Sequence, residues 1–373
     1  MKDVALIAAA VSAFLLLLLL EKRQALIARR KLQHVVYVNG TRGKSSVTRL
    51  IEAGLRAGGL RVYGKTTGTL PLARDIAGRE RLIRRLGPAN VREQLDTLKA
   101  AAAQGAQVLV IECMAVAPEL QKVTQHGMLM ADIGVITNAR PDHQEQMGYS
   151  RSEVLAALSN TIPKKGLLFT GQESAHAFLS HKAARLGSSC ALARPGPRDG
   201  GDFPENQALA LMVCQAMGVN EEDARRGFAR VREDPYSLSE TAWKQSALVN
   251  ALSANDLSST LMLIGRCQER HPKLPLWLMI NNRADRPERT RDMLRAPEIC
   301  KVRGVFLLGD MQPWFSGRLK KRCPGLEVRR CARAEQVLEA LGEKPCLLVA
   351  IGNIQGEGRR FCDLTGFGKG AAG

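Results

Sequence analysis

The residues Gly40 to Ser46, GTRGKSS, have the types and the order that could bind a phosphate group. In a glycine-rich turn at the start of a helix, backbone N–H groups point at the anion and the positive end of the helix dipole attracts it. Lys44 adds a charge that can reach terminal phosphates, and the hydroxyl of Ser45 can hold a magnesium ion. The turn is shorter than the GxxxxGK[ST] loop, because Val38 stands where that pattern has its first glycine. An ordinary glycine turn is therefore the competing interpretation.

The flanking sequence predicts the two elements that a phosphate-binding turn requires. Val35 to Val38 is a short apolar run that predicts a buried strand. After the turn, apolar or small residues recur at helical spacing, at Val47, Leu50, Ile51, Gly54 and Leu55. The order strand, turn, helix is the arrangement in which a P-loop works, so the sequence favours a phosphate site here.

Two further reactive groups come soon after predicted strands. Glu112 directly follows the apolar run Val108 to Ile111, and His143 lies a few residues after the run Ile133 to Ile136. Ligands of open parallel sheets bind at the carboxyl ends of the strands. A buried carboxylate is costly unless a metal or a cation pairs with it, so Glu112 is either such a partner or a rim carboxylate in water. His143 is either a ligand or a satisfied surface histidine, and its setting favours the ligand.

Other polar stretches also end predicted strands. The loop GKTTGT, Gly64 to Thr69, follows a strand predicted at Leu60 to Tyr63 and is either an anion-binding loop or a turn. Four later strands alternate with helices and predict a second, smaller parallel or mixed sheet. These strands are predicted at Ala247 to Ala251, Leu276 to Ile280, Val305 to Leu308 and Leu347 to Ile351. The polar sequences SANDLSST, NNRADR and GNIQGEG follow the first, second and fourth of them.

Length and composition predict a globular protein of two domains, with 373 residues of which 45% are hydrophobic. The net charge of +18 indicates a polyanionic partner, substrate or membrane surface, or simply a soluble basic surface. The arginine clusters carry no interleaved aromatic residues, so we expect no nucleic acid partner. Nine cysteines without CxxC pairs or the spacing of a zinc site predict reduced thiols and an intracellular compartment.

The N-terminal sequence predicts a membrane anchor. Val4 to Leu20 is apolar except for Ser12, and its 17 residues are at the lower limit for crossing a bilayer. A cleaved signal peptide is the alternative, but no small-x-small cleavage site follows. More basic residues follow this run than precede it, which predicts a single span in the cell membrane with the rest of the chain in the cytoplasm.

Taken in order, the motifs of the chain resemble those of the Mur ligase superfamily, the ATP-dependent amide ligases, and most of all the ligase subunit of poly-γ-glutamate synthase. The motifs are VNGTRGKSSVTRL, GKTTGT, IECMAV, TNARPDH, TIP, ANDLSST, NNRADR and AIGNIQG. The resemblance implies an α/β fold with an N-terminal transmembrane helix, a P-loop ATPase domain with a mostly parallel central sheet, and a smaller Rossmann-like C-terminal domain. The expected segments are an anchor with its basic flank at 1–32, the ATP-binding domain at 33–235, the ligase domain at 245–365 and a disordered tail at 366–373.

The resemblance also implies roles for individual residues. The implied ATP-binding residues are Gly40, Thr41, Arg42, Gly43, Lys44, Ser45, Ser46, Asn138, Asn206 and Asp256. Ser45, Glu112 and His143 are the implied magnesium ligands, and Lys44, Glu112 and His143 are the implied catalytic residues. The implied substrate contacts are Lys65, Thr66, Thr67, Arg283 and Asp285.

The activity that the resemblance implies is the polymerisation of glutamate into poly-γ-glutamate through an acyl phosphate, with ATP and Mg²⁺. The excess of arginine and lysine then matches substrates and a product that carry carboxylates. The implied partners are glutamate, the polyanionic product, the membrane and integral-membrane subunits of a synthase complex. Two alternatives stay open, namely the same chemistry on another acceptor, such as folate, and a membrane-bound P-loop ATPase that drives export or assembly.

Overall fold

The computed structural model describes residues 2–68, 71–85, 87, 89–140, 144–200, 203–231, 238–254, 257–285, 287–342 and 345–367. The chain forms two compact units, Met1–Val231 and Arg232–Gly373. The predicted site residues His143 and Asp256 lie outside the described residues. Each unit is built around its own sheet.

The first unit alternates strands and helices along most of its length. Its strands are β1 His34–Asn39, β2 Val62–Thr66, β3 Leu72–Arg74, β4 Glu80–Leu82, β5 Val108–Glu112, β6 Ile133–Ile136, β7 Leu167–Thr170 and β8 Ser189–Leu192. Its α-helices are α1 Lys2–Lys31, α2 Lys44–Ala57, α3 Arg92–Ala103, α4 Pro118–Val123, α5 Gln144–Met147, α6 Arg151–Leu158, α7 Glu173–Arg185, α8 Pro204–Ala216 and α9 Glu221–Phe228. A π-helical turn at Thr124–Leu129 and a 3₁₀ turn at Ser159–Thr161 extend α4 and α6.

The eight strands of the first unit form one sheet in the order β4-β3-β2-β5-β1-β6-β7-β8. In this order, neighbouring strands are parallel from β2 through β5, β1, β6 and β7 to β8. Strands β3 and β4 pair antiparallel and form the edge beside β2. In this register Val38 is opposite both Glu112 and Val135, so the carboxyl ends of β1, β5 and β6 meet at one edge. The expected placement of the polar strand ends is therefore found for these three strands.

Both faces of this sheet are covered, as is usual for parallel sheets. Val36 and Val38 of β1 lie in a core cluster with Val47 and Ile51 of α2. The alternate residues of β1 face the other cluster, which also holds residues of α1 and α3. The apolar period read from the sequence thus agrees with the buried face of α2.

Strand β2 differs from the strand predicted at Leu60 to Tyr63, because it continues through Gly64 and Lys65 to Thr66. All five of its residues are buried, including Lys65. The predicted strand stops before Lys65, because a lysine charge is costly to bury without a partner. Here a carboxylate from α3 meets that charge, which the local sequence does not reveal.

The predicted N-terminal membrane anchor is wrong. None of the described helices combines the length and the apolar character that crossing a membrane requires. The 17 residues from Val4 to Leu20 span about 26 Å as a helix, less than the roughly 30 Å of a hydrocarbon core. The predicted localisation, a single span with a cytoplasmic remainder, therefore also has no support. The C-terminal part of α1 instead joins the core of the first unit through Ala25 and Ala28.

The second unit contains a six-stranded sheet in the order β13-β12-β11-β14-β10-β9. Its strands are β9 Ser239–Trp243, β10 Ser246–Asn250, β11 Leu276–Asn282, β12 Gly304–Gly309, β13 Glu327–Arg330 and β14 Leu347–Gly352. Its helices are α10 Leu257–Arg270, α11 Pro287–Met293, α12 Ala296–Ile299, α13 Gln312–Arg322, α14 Ala334–Leu341 and α15 Glu357–Thr365. All pairs are parallel except β9 with β10. The sheet is therefore mixed, and β9 and β13 are strands that the sequence did not predict.

Candidate nucleotide and metal site

The glycine-rich turn after β1 packs tightly against the end of β6. Gly40 has φ +130°, and a Cβ built there would lie 2.0 Å from Oγ1 of Thr137. That hydroxyl donates to the carbonyl oxygen of Arg42 at 2.5 Å. Because the backbone passes so close to β6, only glycine fits at position 40.

Asn138, the next residue after Thr137, fixes the conformation of the turn. Its Oδ1 accepts hydrogen bonds from Oγ1 of Thr41 at 2.8 Å and from the N–H of Arg42 at 3.1 Å. Its Nδ2 donates to the carbonyl oxygen of Arg42 at 3.1 Å. The structure thus brings Asn138 together with the predicted phosphate loop, as a residue that shapes the loop.

Helix α2 begins at Lys44, directly after Gly43, which is left-handed with φ 77°. The first amides of a helix have no acceptor within the helix and favour an anion at that end. The Nζ of Lys44 donates to the carbonyl oxygen of Gly40 at 2.8 Å, so its charge lies over the turn. Ser46 is exposed in the first turn of the same helix. This local geometry has the character of a phosphate site.

Asn206, near the start of α8, contacts the turn from another side. A Cβ built on Gly43 would lie 2.7 Å from Oδ1 of Asn206. The Asn206 side chain is buried, with 9% of the residue exposed. Asn206 therefore belongs to the same site as the turn, and its contact with the adenine side of ATP stays a prediction.

Glu112 and Ser45 form the centre of the candidate metal site. Glu112 is only 3% exposed, and its Oε2 accepts from Oγ of Ser45 at 2.8 Å and from the N–H of Thr67 at 2.7 Å. Carboxylate and hydroxyl oxygens are hard donors that suit Mg²⁺, which usually keeps several waters and binds one or two protein carboxylates together with phosphates. These two residues therefore fit such an ion.

The third predicted metal ligand, His143, lies outside the described residues. Within the part of the chain that the structure describes, no group of three or more His, Cys, Asp or Glu side chains is arranged to hold a metal. The described portion of the candidate metal site thus consists of the Ser45 and Glu112 oxygens beside the glycine-rich turn.

Lys65 lies completely buried beside Glu112. Its Nζ is 2.7 Å from Oε1 of Glu93 and donates to Oε1 of Gln94 at 3.0 Å. Burial lowers the pKa of Lys65, and the contact with Glu93 partly opposes that shift. Burial also acts on Glu93, but hydrogen bonds from Arg85 and Lys65 prevail and hold the pKa of Glu93 below its usual value. Thr66 is buried next to Lys65 at the end of β2.

Sequence reasoning missed Arg85, Glu93 and Gln94. The amide of Gln94 is fully buried and its Nε2 donates to the backbone oxygen of Glu112 at 2.8 Å. The only signal in the sequence is a pair of polar residues in the first turn of α3, which is typical of any exposed first turn. The approach of this turn to β5 is a tertiary feature.

Arg283 and Asp285 lie in the second unit, after β11. The guanidinium Nε of Arg283 donates to Oδ1 of Asp285 at 2.8 Å, and both side chains are partly exposed. A small cavity beside them is lined by Asn281, Asn282, Arg283, Thr290, Met293, Gly352 and Asn353. Asn282 is 4% exposed, and its Nδ2 has no hydrogen-bond partner among the described residues. Sequence reasoning named the motif but did not single out Asn282.

Two family models match the chain. The Mur ligase middle domain matches residues 38–181, and the C-terminal domain of poly-gamma-glutamate synthase CapB matches residues 236–365. The first match covers the glycine-rich turn and Glu112, and the second covers the whole sheet of the second unit.

Two curated proteins are similar over long stretches. The chain is 33% identical to the PGA synthase CapB of Bacillus subtilis (strain 168) over 345 residues, which are 86% of this chain and 87% of that protein. It is 36% identical to the capsule biosynthesis protein CapB of Bacillus anthracis over 279 residues, which are 70% of this chain and 59% of that protein. The chain thus spans about six-tenths of the second relative and most of the first.

Among solved structures, the bifunctional folylpolyglutamate synthase/dihydrofolate synthase of Yersinia pestis, complexed with AMPPNP and Mn ion, has the same fold. The TM-score is 0.64 with 14% sequence identity, over 92% of each chain. The predicted Mur-ligase-like α/β fold, apart from the anchor, and the predicted class of ATP-dependent ligase are confirmed. The chain belongs to the CapB family of poly-γ-glutamate synthases, within the Mur ligases.

Proposed function

We propose that the chain is an ATP-dependent amide ligase that extends poly-γ-glutamate through an acyl phosphate. The observation that carries the proposal is the contact of Ser45 with Glu112, which joins a phosphate turn to a buried carboxylate at one sheet edge. The relatives named for the synthesis of this polymer support the choice of product. ATP and a divalent metal agree with the AMPPNP and Mn bound by the folylpolyglutamate synthase, and Mg²⁺ is the ion we propose.

In this mechanism the turn and helix α2 bind the phosphates of ATP. The backbone amides of the turn and the ammonium of Lys44 stabilise charge on the transferred phosphoryl group. Ser45 and Glu112 would hold the metal, which supplies further charge neutralisation at the phosphate oxygens. Asn138 keeps the turn in the conformation that presents these amides. The chain thereby orients the γ-phosphate for attack by a carboxylate.

The reaction balances in two steps. A carboxylate oxygen of the acceptor attacks the γ-phosphorus, and the bond to the departing ADP oxygen breaks. The amine of glutamate then attacks the acyl carbon, phosphate leaves, and the amine loses its proton to give the amide. Positioning and charge stabilisation by the residues of the turn account for most of the catalysis in phosphoryl transfer.

We further propose that the cavity of the second unit binds a carboxylate of glutamate. Asn282 offers an N–H group that is buried without a partner in the described chain, and Arg283, whose guanidinium pairs with Asp285, lines the same cavity. Arginine and amide N–H groups are good donors to carboxylates. The net charge of +18 also favours polyanionic substrates in general. We propose as well that the chain works with partner subunits of a synthase complex.

The release of ADP with and without glutamate tests the proposed function. Purified chain, supplied with a short γ-glutamyl acceptor, ATP and Mg²⁺, should release ADP in proportion to the amide bonds formed, and withholding glutamate should stop both. ADP release at the same rate without glutamate would exclude the ligase and favour an ATPase. Folate accepted in place of the γ-glutamyl chain would instead identify a different acceptor.

A further inference from the structure

Lys65 is one of the largest side chains that the described core buries completely. An ammonium in such a place is costly unless several groups contact it. Its Nζ meets Oε1 of Glu93 at 2.7 Å, Oε1 of Gln94 at 3.0 Å and the sulfur of Met114 at 3.6 Å. A lysine with these contacts is held in one conformation and is not presented to solvent.

The first path from Lys65 to Glu112 runs through Gln94. A side-chain amide has an acceptor end and a donor end. Because Lys65 donates to the acceptor end of Gln94, the donor end is directed to the backbone oxygen of Glu112, at 2.8 Å. Gln94 is fully buried, so bulk solvent does not reach either end.

The second path runs along the backbone. Thr67 follows Lys65 by two residues, and its N–H donates to Oε2 of Glu112 at 2.7 Å. The contact of Lys65 with α3 therefore also fixes the end of β2, directly before this amide. Glu112 is held at its backbone oxygen and at its carboxylate by groups that Lys65 orients.

Arg85 is a second cationic partner of Glu93, in addition to Lys65. Its Nε and Nη2 donate to the two carboxylate oxygens of Glu93 at 2.7 Å and 3.1 Å. Glu93 thus keeps a charged partner if Lys65 is replaced by a neutral residue. This arrangement makes Lys65 open to substitution without leaving a buried carboxylate unpaired.

We propose that Lys65 is a positioning residue that holds Glu112, through Gln94 and the backbone of Thr67, in the orientation that binds the metal of the ATP site. The inference rests on the proposed function, because it takes Glu112 as a metal ligand. It gives Lys65 a role other than the substrate contact implied by the resemblance.

The test replaces Lys65 by methionine, which conserves the length of the side chain. Mn²⁺ is titrated into the full chain with ADP, and free Mn²⁺ is followed by electron paramagnetic resonance, without turnover. Loss of an outer partner of a metal ligand weakens metal binding about 10-fold to 100-fold, so we expect the Kd for Mn²⁺ to rise at least about tenfold. Hydrogen exchange at Thr67, measured by mass spectrometry, should accelerate.

Two further variants sharpen the test. Gln94→Glu keeps an acceptor for Lys65 but loses the donor to the backbone oxygen of Glu112, so the Kd of this variant for Mn²⁺ should also rise. It keeps the test available if Lys65→Met does not fold. Tyr37→Phe is the matched control, since it removes a buried hydrogen bond to Cys113 at 2.9 Å, next to Glu112 but outside both paths. Its Kd should equal that of the unmodified chain.

Unchanged Mn²⁺ affinity in folded Lys65→Met or Gln94→Glu would overturn the inference. If the unmodified chain itself binds no Mn²⁺ with ADP, the proposed metal site is what fails. In that case the rate of hydrogen exchange at Thr67 tests whether Lys65 fixes the backbone there. An unchanged rate in Lys65→Met would overturn that role.

Discussion

The hydroxyl of Ser45 donates to Oε2 of Glu112 across 2.8 Å, which joins two residues that are 67 positions apart in the sequence. Ser45 lies in the first turn of α2, and Glu112 ends β5. The parallel pairing of β1 with β5 sets this distance, because it places Val38 opposite Glu112. The sheet register therefore brings two polar side chains that are distant in the sequence together beside the glycine-rich turn.

Glu112→Gln tests the role of this carboxylate. Glutamine keeps the shape and can still accept from Ser45 and Thr67, but it lacks the charge that holds a metal. We expect the glutamate-dependent kcat to fall at least about 100-fold, since losing one charge-stabilising group commonly has that effect. Circular dichroism should show an unchanged fold. Turnover near that of the unmodified chain would remove Glu112 from the metal site.

Gly40→Ala tests the close packing of the turn against β6. The new methyl group would lie 2.0 Å from Oγ1 of Thr137, at a φ of +130° that alanine rarely adopts. We expect the free energy of unfolding in urea to fall by about 2–4 kcal/mol, and nucleotide affinity to fall with it.

Gly59→Ala is the matched control for the Gly40 substitution. Gly59 has φ +88°, yet a Cβ there would meet no described heavy atom within 4 Å. It should cost only about 1 kcal/mol, from the backbone conformation alone. Equal losses in the two variants would show that the contact with Thr137 has no energetic role.

The local part of the site could be predicted from the sequence. The strand, the turn and the apolar face of α2 follow from residues that are neighbours in the chain, and the pattern carries them directly. The position of Glu112 at a strand end was predictable for the same reason. The sheet order that brings these ends together is consistent with the general rule for parallel sheets.

Long-range contacts account for what the sequence could not predict. Lys65 reads as a polar residue that ends a strand, because its carboxylate partner is 28 positions away on α3. The Nδ2 of Asn282, which has no hydrogen-bond partner among the residues that the structure describes, depends on the packing of the second unit around it. The predicted membrane anchor is wrong, since none of the described helices is both long enough and apolar enough to cross a membrane.

The buried thiol of Cys214 predicts a loss of stability in alkali. Burial raises the pKa of Cys214 from 9.0 to about 12. Between these two values the thiol is protonated in the folded chain and ionised in the unfolded chain. The contribution of Cys214 to the free energy of unfolding is therefore complete below pH 9 and declines as the pH rises from 9 towards 12. Between pH 9 and pH 10 the free energy of unfolding should fall by about 1 kcal/mol from this group alone.

The pH dependence of unfolding in Cys214→Ala checks this contribution. The variant is less stable at every pH because it leaves a cavity, but its decline above pH 9 should be shallower than that of the unmodified chain. The control variant is Cys323→Ala, because Cys323 is only partly buried, and its pH dependence of unfolding is compared with that of Cys214→Ala. Parallel urea-unfolding curves for the unmodified chain and Cys214→Ala over this range would contradict the prediction.

Substitutions of Asn282 and Asn281 test whether the cavity of the second unit binds glutamate. We expect Asn282→Leu to change the KM for glutamate and Asn281→Leu to change the stability of the fold. Asn282→Leu removes an Nδ2 that has no partner within the described chain, so the free energy of unfolding should not fall and could rise, because no buried donor is left unsatisfied. If Nδ2 binds the substrate carboxylate, the KM for glutamate should rise about tenfold, since a lost hydrogen bond to a charged group is worth about 1.5–3 kcal/mol.

Asn281→Leu should behave in the opposite way. The Nδ2 of Asn281 donates to the carbonyl oxygens of Gln355 at 2.9 Å and of Asn353. Its loss leaves the buried carbonyl oxygen of Asn353 without this donor, and the free energy of unfolding should fall by about 2 kcal/mol. Steady-state kinetics and urea unfolding on both variants separate the two roles. A KM for glutamate that is unchanged in Asn282→Leu, in a chain as stable as the unmodified one, would show that the Nδ2 of Asn282 does not bind the substrate carboxylate.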